Sequence, residues 1–240
     1  MQPETIQAGT LEATTLGPFV ELLFLVAGNR LPTLALDWLG SMDFVRTWRQ
    51  GQSEWLSPSS HLGFIRTQFE SDDWHTRSTQ FLLRAQQAAR TISKLPGNLP
   101  GQMAAAIQEL EANIQEHSGA VPTGVLVYRA TSNVFEFVVA DRGVGLLSSL
   151  RSSPRYSGLI DHGISLELAL TDGISRHNDS GRGHGFRPIF QGLSDLNGYL
   201  RFRSGDHALV MDGTTPDLAT AQIAQKPTID GFFASVRCEP

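Results

Sequence analysis

Glu109-Leu-Glu-Ala-Asn113-Ile-Gln-Glu-His117, Asp141-Arg-Gly143-Val-Gly145 and Gly181-Arg-Gly183-His184-Gly185-Phe186 are three polar signatures that follow one another between Gln108 and Phe186. In the first, an acid, an amide and an imidazole recur every four residues, so that on a helix all three point the same way. In the second, an apolar run stops on an acid followed by two spaced glycines. In the third, glycines alternate ahead of an apolar segment, a turn entering a helix whose first backbone amides are open to an anion.

The helix that carries the first signature, from about Pro100 to His117, can be read by angle. At about 100° per residue, Met103, Ile107, Leu110 and Ile114 fall in an arc roughly 60° wide and form its core stripe. Glu109, Asn113 and His117 occupy the neighbouring arc. A polar row beside a buried stripe lies at the edge of a core, where a pocket can open, although taken alone it also fits a solvated face. Val125 to Ala130 and Val134 to Ala140 are strands joined by Thr131-Ser132-Asn133, an antiparallel hairpin that delivers Asp141 to its end. A solvated Asp in a turn is the plain reading of that end, but the glycines also let a ligand approach the backbone.

Outward from this centre, Thr76 to Leu95 places Phe81, Ala85, Ala88, Ile92 and Leu95 at helical spacing, and Pro96-Gly97-Asn98 ends the helix. Gly63 to Glu70 alternates like a strand, and Gln50 to Ser60 reads as a loop or linker. Nearer the start, Gly17-Pro18 opens a helix from Phe19 to Ala27, Leu34 to Leu36 is a short buried strand, and Trp38 to Trp48 is a second helix. These suggest a small α/β unit over residues 1–75 and a larger domain over 76–240. After Gly145, Leu146 to Asp161 reads as a mobile loop, Leu166 to Leu170 as a turn or two of helix, and Thr171 to Gly185 as irregular. Phe186 to Asn197 is helical, with Pro188 in its first turn and Gly198 past its end. Three strands follow, Tyr199 to Ser204, Ala208 to Met211 and Phe232 to Arg237.

A chain of 240 residues with 40% hydrophobic content can bury a full core. A net charge of -5 argues against a nucleic-acid backbone as the main partner, because such binding needs clustered Lys and Arg. The longest apolar run, Phe19 to Ala27, is about half the roughly 20 residues of a membrane-spanning helix, and no secretory leader is expected at the start. Cys238 is the only cysteine, so no intrachain disulfide forms and a reducing, cytoplasmic setting is expected.

An ATP pocket needs an acceptor for the adenine amine, backbone donors for phosphate, oxygen ligands for Mg2+ and a base to orient the nucleophile. Asp141 would accept from the amine, and the amides around Gly181 to Gly185 would bind phosphate. Asn113 would offer its side-chain oxygen to Mg2+. Glu109, one turn earlier, is placed to polarise a water or a hydroxyl.

In this order and spacing the sequence resembles the GHKL superfamily, the ATP-binding fold shared by gyrase, heat-shock chaperones, histidine kinases and mismatch-repair proteins. Glu109, Asn113 and His117 match its N box, Asp141, Gly143 and Gly145 its first glycine box, and Gly181, Gly183 and Gly185, with Arg182 and His184 between them, its second. The likeness covers about residues 76–240. It implies a Bergerat-type α+β sandwich, an α/β fold with a mixed, mostly antiparallel sheet carrying helices on one face, preceded here by the small α/β unit. It also implies ATP and Mg2+ as cofactors. Within the family the acid, amide and imidazole look most like bacterial anti-sigma factor serine kinases, which implies Glu109 as general base, a protein partner and room for a homodimer. The N-terminal unit faintly resembles STAS-type domains.

Two departures stand out. The family's last strand carries a Thr after its glycine, where this chain has Phe232 after Gly231, so adenine recognition would lean more on Asp141. Nor does His75 have the context of a histidine-kinase phosphoacceptor. The glycines at 181, 183 and 185 lack the spacing of a dinucleotide fingerprint, and no Gly-Lys-Ser/Thr phosphate loop exists. Loop histidines fit His162, His177 and His184 better than a metal site does. The expected activity is ATP hydrolysis or phosphorylation of a protein serine. The alternatives are an ATP-dependent interaction switch without turnover and a plain interaction protein with a degenerate pocket.

Overall fold

The computed structural model of the chain describes residues 15–27, 42–171, 197–213 and 221–239. Its helices are α1 (Leu16–Ala27), α2 (Met42–Arg49), α3 (Asp72–Thr91), α4 (Leu99–His117), α5 (Gly145–Arg151) and α6 (His162–Thr171). Its strands are β1 (Glu54–Leu56), β2 (Leu62–Arg66), β3 (Val125–Thr131), β4 (Val134–Ala140), β5 (Asn197–Gly213) and β6 (Gln222–Glu239). The strands form one sheet in the order β1-β2-β3-β4-β6-β5, every neighbour antiparallel. This is an α+β sandwich, as the sequence leads one to expect.

The expected hairpin closes at Asn133, whose φ of 63° lies in the left-handed region that Asn tolerates. Alternation along the strands then sorts side chains to two faces. Leu126, Tyr128, Phe135, Phe137, Val139, Leu200, Phe202 and Ala234 point into one core with α3, α4 and α6. Val125, Val127, Val138, Ala140 and Phe233 point into a second core with α1 and α2. Helices therefore cover both faces, not the single face that the family resemblance implies. The second layer forms because Leu16, Phe19, Val20 and Leu23 recur at helical spacing and meet Phe44 and Trp48 of α2.

Two ionic ties fix α1 to the sheet. Glu136 of β4 accepts a hydrogen bond from the Leu16 N–H at the start of α1, 3.0 Å away, and pairs with Arg129 at 3.0 Å. Glu21, buried in the middle of α1, pairs with Arg203 of β5 and with Arg201 at 3.0 Å. Arg203 also donates to the Pro227 carbonyl of β6.

Several boundaries differ from the sequence reading. Residues 50–60 contain β1, which pairs with β2 and so enters the main sheet. The 75/76 division falls inside α3, and β1, β2, α1 and α2 share sheet and core with the rest. α3 starts at Asp72 because Ser71 caps it, its hydroxyl accepting from the Trp74 N–H at 3.1 Å. Residues 146–161, expected as a loop, begin with α5, which is held by the buried Leu147 and Leu150. The two strands expected at 199–204 and 208–211 are one, β5, running through a bulge at Gly205. The strand expected at Leu34–Leu36 and the helix at Phe186–Asn197 lie outside the described residues, apart from Asn197. Among the described residues no helix is long and apolar enough to cross a membrane.

Candidate functional site

α4 forms much as its pattern dictates. Pro100 sits in its first turn, where a missing N–H costs nothing, and Met103, Ile107, Leu110 and Ile114 are buried against the sheet. Its rotation is fixed by Glu111, which accepts from the Trp74 indole N–H at 3.0 Å and so ties α4 to α3. Glu109, Asn113 and His117 stand half-buried beside the core stripe. His117 lies 3.8 Å from Glu116 on the same helix.

Asp141 follows β4 directly. Its backbone N–H donates to the Phe232 carbonyl at 2.9 Å, which continues the β4–β6 ladder by one step. Only 5% of Asp141 is exposed. Burial pushes its carboxyl up to about 6, against the pull of the Gly143 and Phe232 N–H groups, which favour the charged form. Oδ1 is committed to the Gly143 N–H at 2.7 Å.

The turn after Asp141 is pinned at three points. Ser118, just past the end of α4, accepts from the Val144 N–H at 2.9 Å. The Thr123 hydroxyl accepts from the Arg142 N–H at 2.9 Å. The Ser204 hydroxyl of β5 accepts from Leu146 N–H and donates to the Gly231 carbonyl of β6, both at 2.9 Å. Two glycines make this closeness sterically allowed. A Cβ at Gly143 would overlap the Ser118 carbonyl, and one at Gly231, whose φ is +77°, would sit 2.7 Å from Asp141 Oδ1.

The N-terminal part of the signature stretch and the acid turn thus meet at one end of the sheet, through Ser118. From there the polar row of α4 leads away: at 1.5 Å per residue, Asn113 stands about 7.5 Å and Glu109 about 13.5 Å along the axis from Ser118. Gly145 opens α5. Gly181, Arg182, Gly183, His184 and Gly185 lie outside the described residues. The sequence reading missed Ser118, Thr123 and Ser204. Each is a small hydroxyl residue next to a glycine, and such a residue carries no signal of what it will bind.

Chemically, Asp141 presents a buried, partly desolvated carboxylate held by the backbone N–H groups of Gly143 and Phe232. Among the described residues no group of three or more His, Cys, Asp or Glu could hold a metal ion. Compared with protein-family models and with curated proteins, the chain matches none.

Proposed function

We propose that this chain is a Mg·ATP-binding protein of the histidine kinase-like ATPase type, which hydrolyses ATP or phosphorylates a protein serine with Glu109 as general base. The observation that carries the proposal is the junction at Ser118, which joins the helix of Glu109 and Asn113 to the turn of a buried acid. In this reading the Asp141 carboxylate accepts from the adenine amine. The nucleotide lies along α4 from base to phosphates, and the amides of Gly181 to Gly185, with Arg182 and His184, receive the phosphates. Mg2+ at Asn113 would supply the charge neutralisation that phosphoryl transfer needs. Glu109 takes the proton from the attacking water or serine hydroxyl.

α5 begins within the turn itself, at Gly145, and this favours a second reading. Occupancy of the Asp141 site would reposition α5 and switch affinity for a protein partner without turnover. That partner is the expected one; a nucleic acid or a membrane is not.

Calorimetric titration with Mg·ATP tests both. Asp141→Asn is expected to weaken binding about 10- to 100-fold, the cost of a lost hydrogen bond to a charged acceptor. Glu109→Ala should keep the affinity within a few-fold and lower turnover about 100- to 10,000-fold. No binding by the wild type, or equal binding by Asp141→Asn, would remove the proposal. Binding without turnover, together with a partner affinity that responds to ATP, would select the switch.

A further inference from the structure

Two arginines come together at the end of the sheet where β4 runs out. Arg66, the last residue of β2, stands opposite Val125 of β3, and Val125 stands opposite Ala140 of β4. Arg142 follows Ala140 by two residues. Arg66 reaches α2 and Arg142 reaches α1, so both lie on the side of the sheet that these helices cover, away from α4 and its polar row. Each is half-buried. The Arg66 guanidinium lies over the Trp48 ring, 4.8 Å from its centre, and that of Arg142 over the Phe24 ring at 5.1 Å. The two rings are neighbours, with centroids 6.2 Å apart, and form one floor under both cations.

Backbone carbonyls fix the orientation of each guanidinium. Arg66 donates from Nη2 to the Trp48 carbonyl at 3.1 Å and from Nε to the Gln52 carbonyl at 3.0 Å, and Arg142 donates from Nη2 to the Phe24 carbonyl at 2.9 Å. Trp48 and Phe24 lie in the last turns of α2 and α1, whose carbonyls favour a cation. Capping these turns leaves donors over, Nη1 of Arg66 and both Nε and Nη1 of Arg142. No nitrogen of either side chain is both buried and unpartnered, so these donors are open to solvent. What the pair lacks is an acid: among the described residues neither arginine is in an ion pair. Burial holds Arg66 below its ordinary value, and the Arg142 charge pushes it the same way. Burial lowers Arg142 too, with Asp230 of β6 pulling it back. Two cations so placed repel each other until an anion joins them.

The geometry points to Arg66 and Arg142 as a binding site for a phosphate monoester. The terminal oxygens of a phosphate dianion take the open edges of both guanidiniums at once, whereas a carboxylate is filled by one. The rings and the helix-end carbonyls hold the two forks in place before the ligand arrives, which lowers the cost of binding it. Because the site faces α1 and α2, it stands or falls independently of the nucleotide reading.

NMR titration of the 15N-labelled full chain tests this, read from the side-chain Nε–H signals of Arg66 and Arg142. The probes are inorganic phosphate, O-phosphoserine and acetate, at constant ionic strength and about pH 7.5, where the phosphates are mostly dianions. Phosphate and O-phosphoserine should move both signals along one binding curve, and acetate should bind at least about 10-fold more weakly. Arg142→Gln should weaken phosphate binding at least about 10-fold. Arg66→Lys, which keeps the charge and loses the planar fork, should weaken it about 3- to 10-fold. The wild-type titrations decide the matter even where a variant fails to fold. Signals that follow separate curves, acetate as tight as phosphate, or a folded Arg142→Gln protein with wild-type phosphate affinity overturns the site. O-phosphoserine more than about 10-fold weaker than inorganic phosphate overturns the assignment to a monoester.

Discussion

Glu21→Ala is expected to lower folding stability by about 3–5 kcal/mol, the usual penalty for stripping a buried ion of its partner. The cause lies in Arg203, 1% exposed, whose guanidinium is met by Glu21 and by the Pro227 carbonyl. Without the carboxylate, one neutral carbonyl remains to replace a full hydration shell. Arg201, also paired with Glu21 at 3.0 Å, is partly exposed and would turn to solvent, so it adds little. Urea unfolding measures the loss, and a double replacement distinguishes its cause. Glu21→Leu with Arg203→Met removes both charges and should recover most of the stability, because a well-packed apolar pair replaces a buried salt bridge at little cost. A single-variant loss below about 1 kcal/mol, or a double variant as weak as the sum of its parts, would show that the pair does not carry α1's attachment.

Asp141→Asn should have the opposite sign. Folding raises this carboxyl from its ordinary value of 3.8 to about 6, so between those values the folded chain holds a proton that the unfolded chain releases. Stability therefore falls as pH rises through that window, and above it the full cost, about 3 kcal/mol, is present. An amide of the same shape keeps one acceptor oxygen for the Gly143 and Phe232 N–H groups and has no charge to desolvate. The variant should gain about 2 kcal/mol at pH 8 and almost nothing near pH 3.5, where the wild-type carboxyl is mostly protonated in both states. Urea midpoints at the two values check this; a gain that does not depend on pH, or a loss at pH 8, would contradict it. Under the proposed function, nucleotide affinity of the wild type falls as pH drops through about 6, while the Asn variant stays flat over the same range.

The sequence was most legible where one periodicity dominated. The stripe of Met103, Ile107, Leu110 and Ile114 placed α4 within a residue of its start, and the apolar run at 134–140 brought Asp141 to a strand end. α5 was invisible for a physical reason: Gly145-Leu-Leu-Ser-Ser-Leu-Arg151 is only two turns long, too short for a helix to stand on propensity, so packing of Leu147 and Leu150 makes it helical. β5 was split in two because Gly205-Asp206 reads as a turn, whereas the bulge there lets the strand continue. Of the candidate site, Asp141 and the row on α4 were readable, while the clamp by Ser204 depended on strand pairing that no local pattern encodes. Glu21 looked like an isolated acid in an apolar helix. Its partner stands on the far strand of the sheet.

The attachment of α1 also sets an order of events during synthesis. Leu16 reaches Glu136 across 120 residues, and Glu21 reaches Arg203 across 182. A ribosome adding about 5–20 residues per second leaves α1 without these anchors for roughly 10–40 s after it is made. Until β3 and β4 are made, the apolar side of α1, with Phe19, Val20 and Leu23, lacks most of the sheet face that covers it. The first helix of the described chain is thus among the last parts to find its place, and its exposed phenylalanine and leucines are what a nascent-chain chaperone would meet.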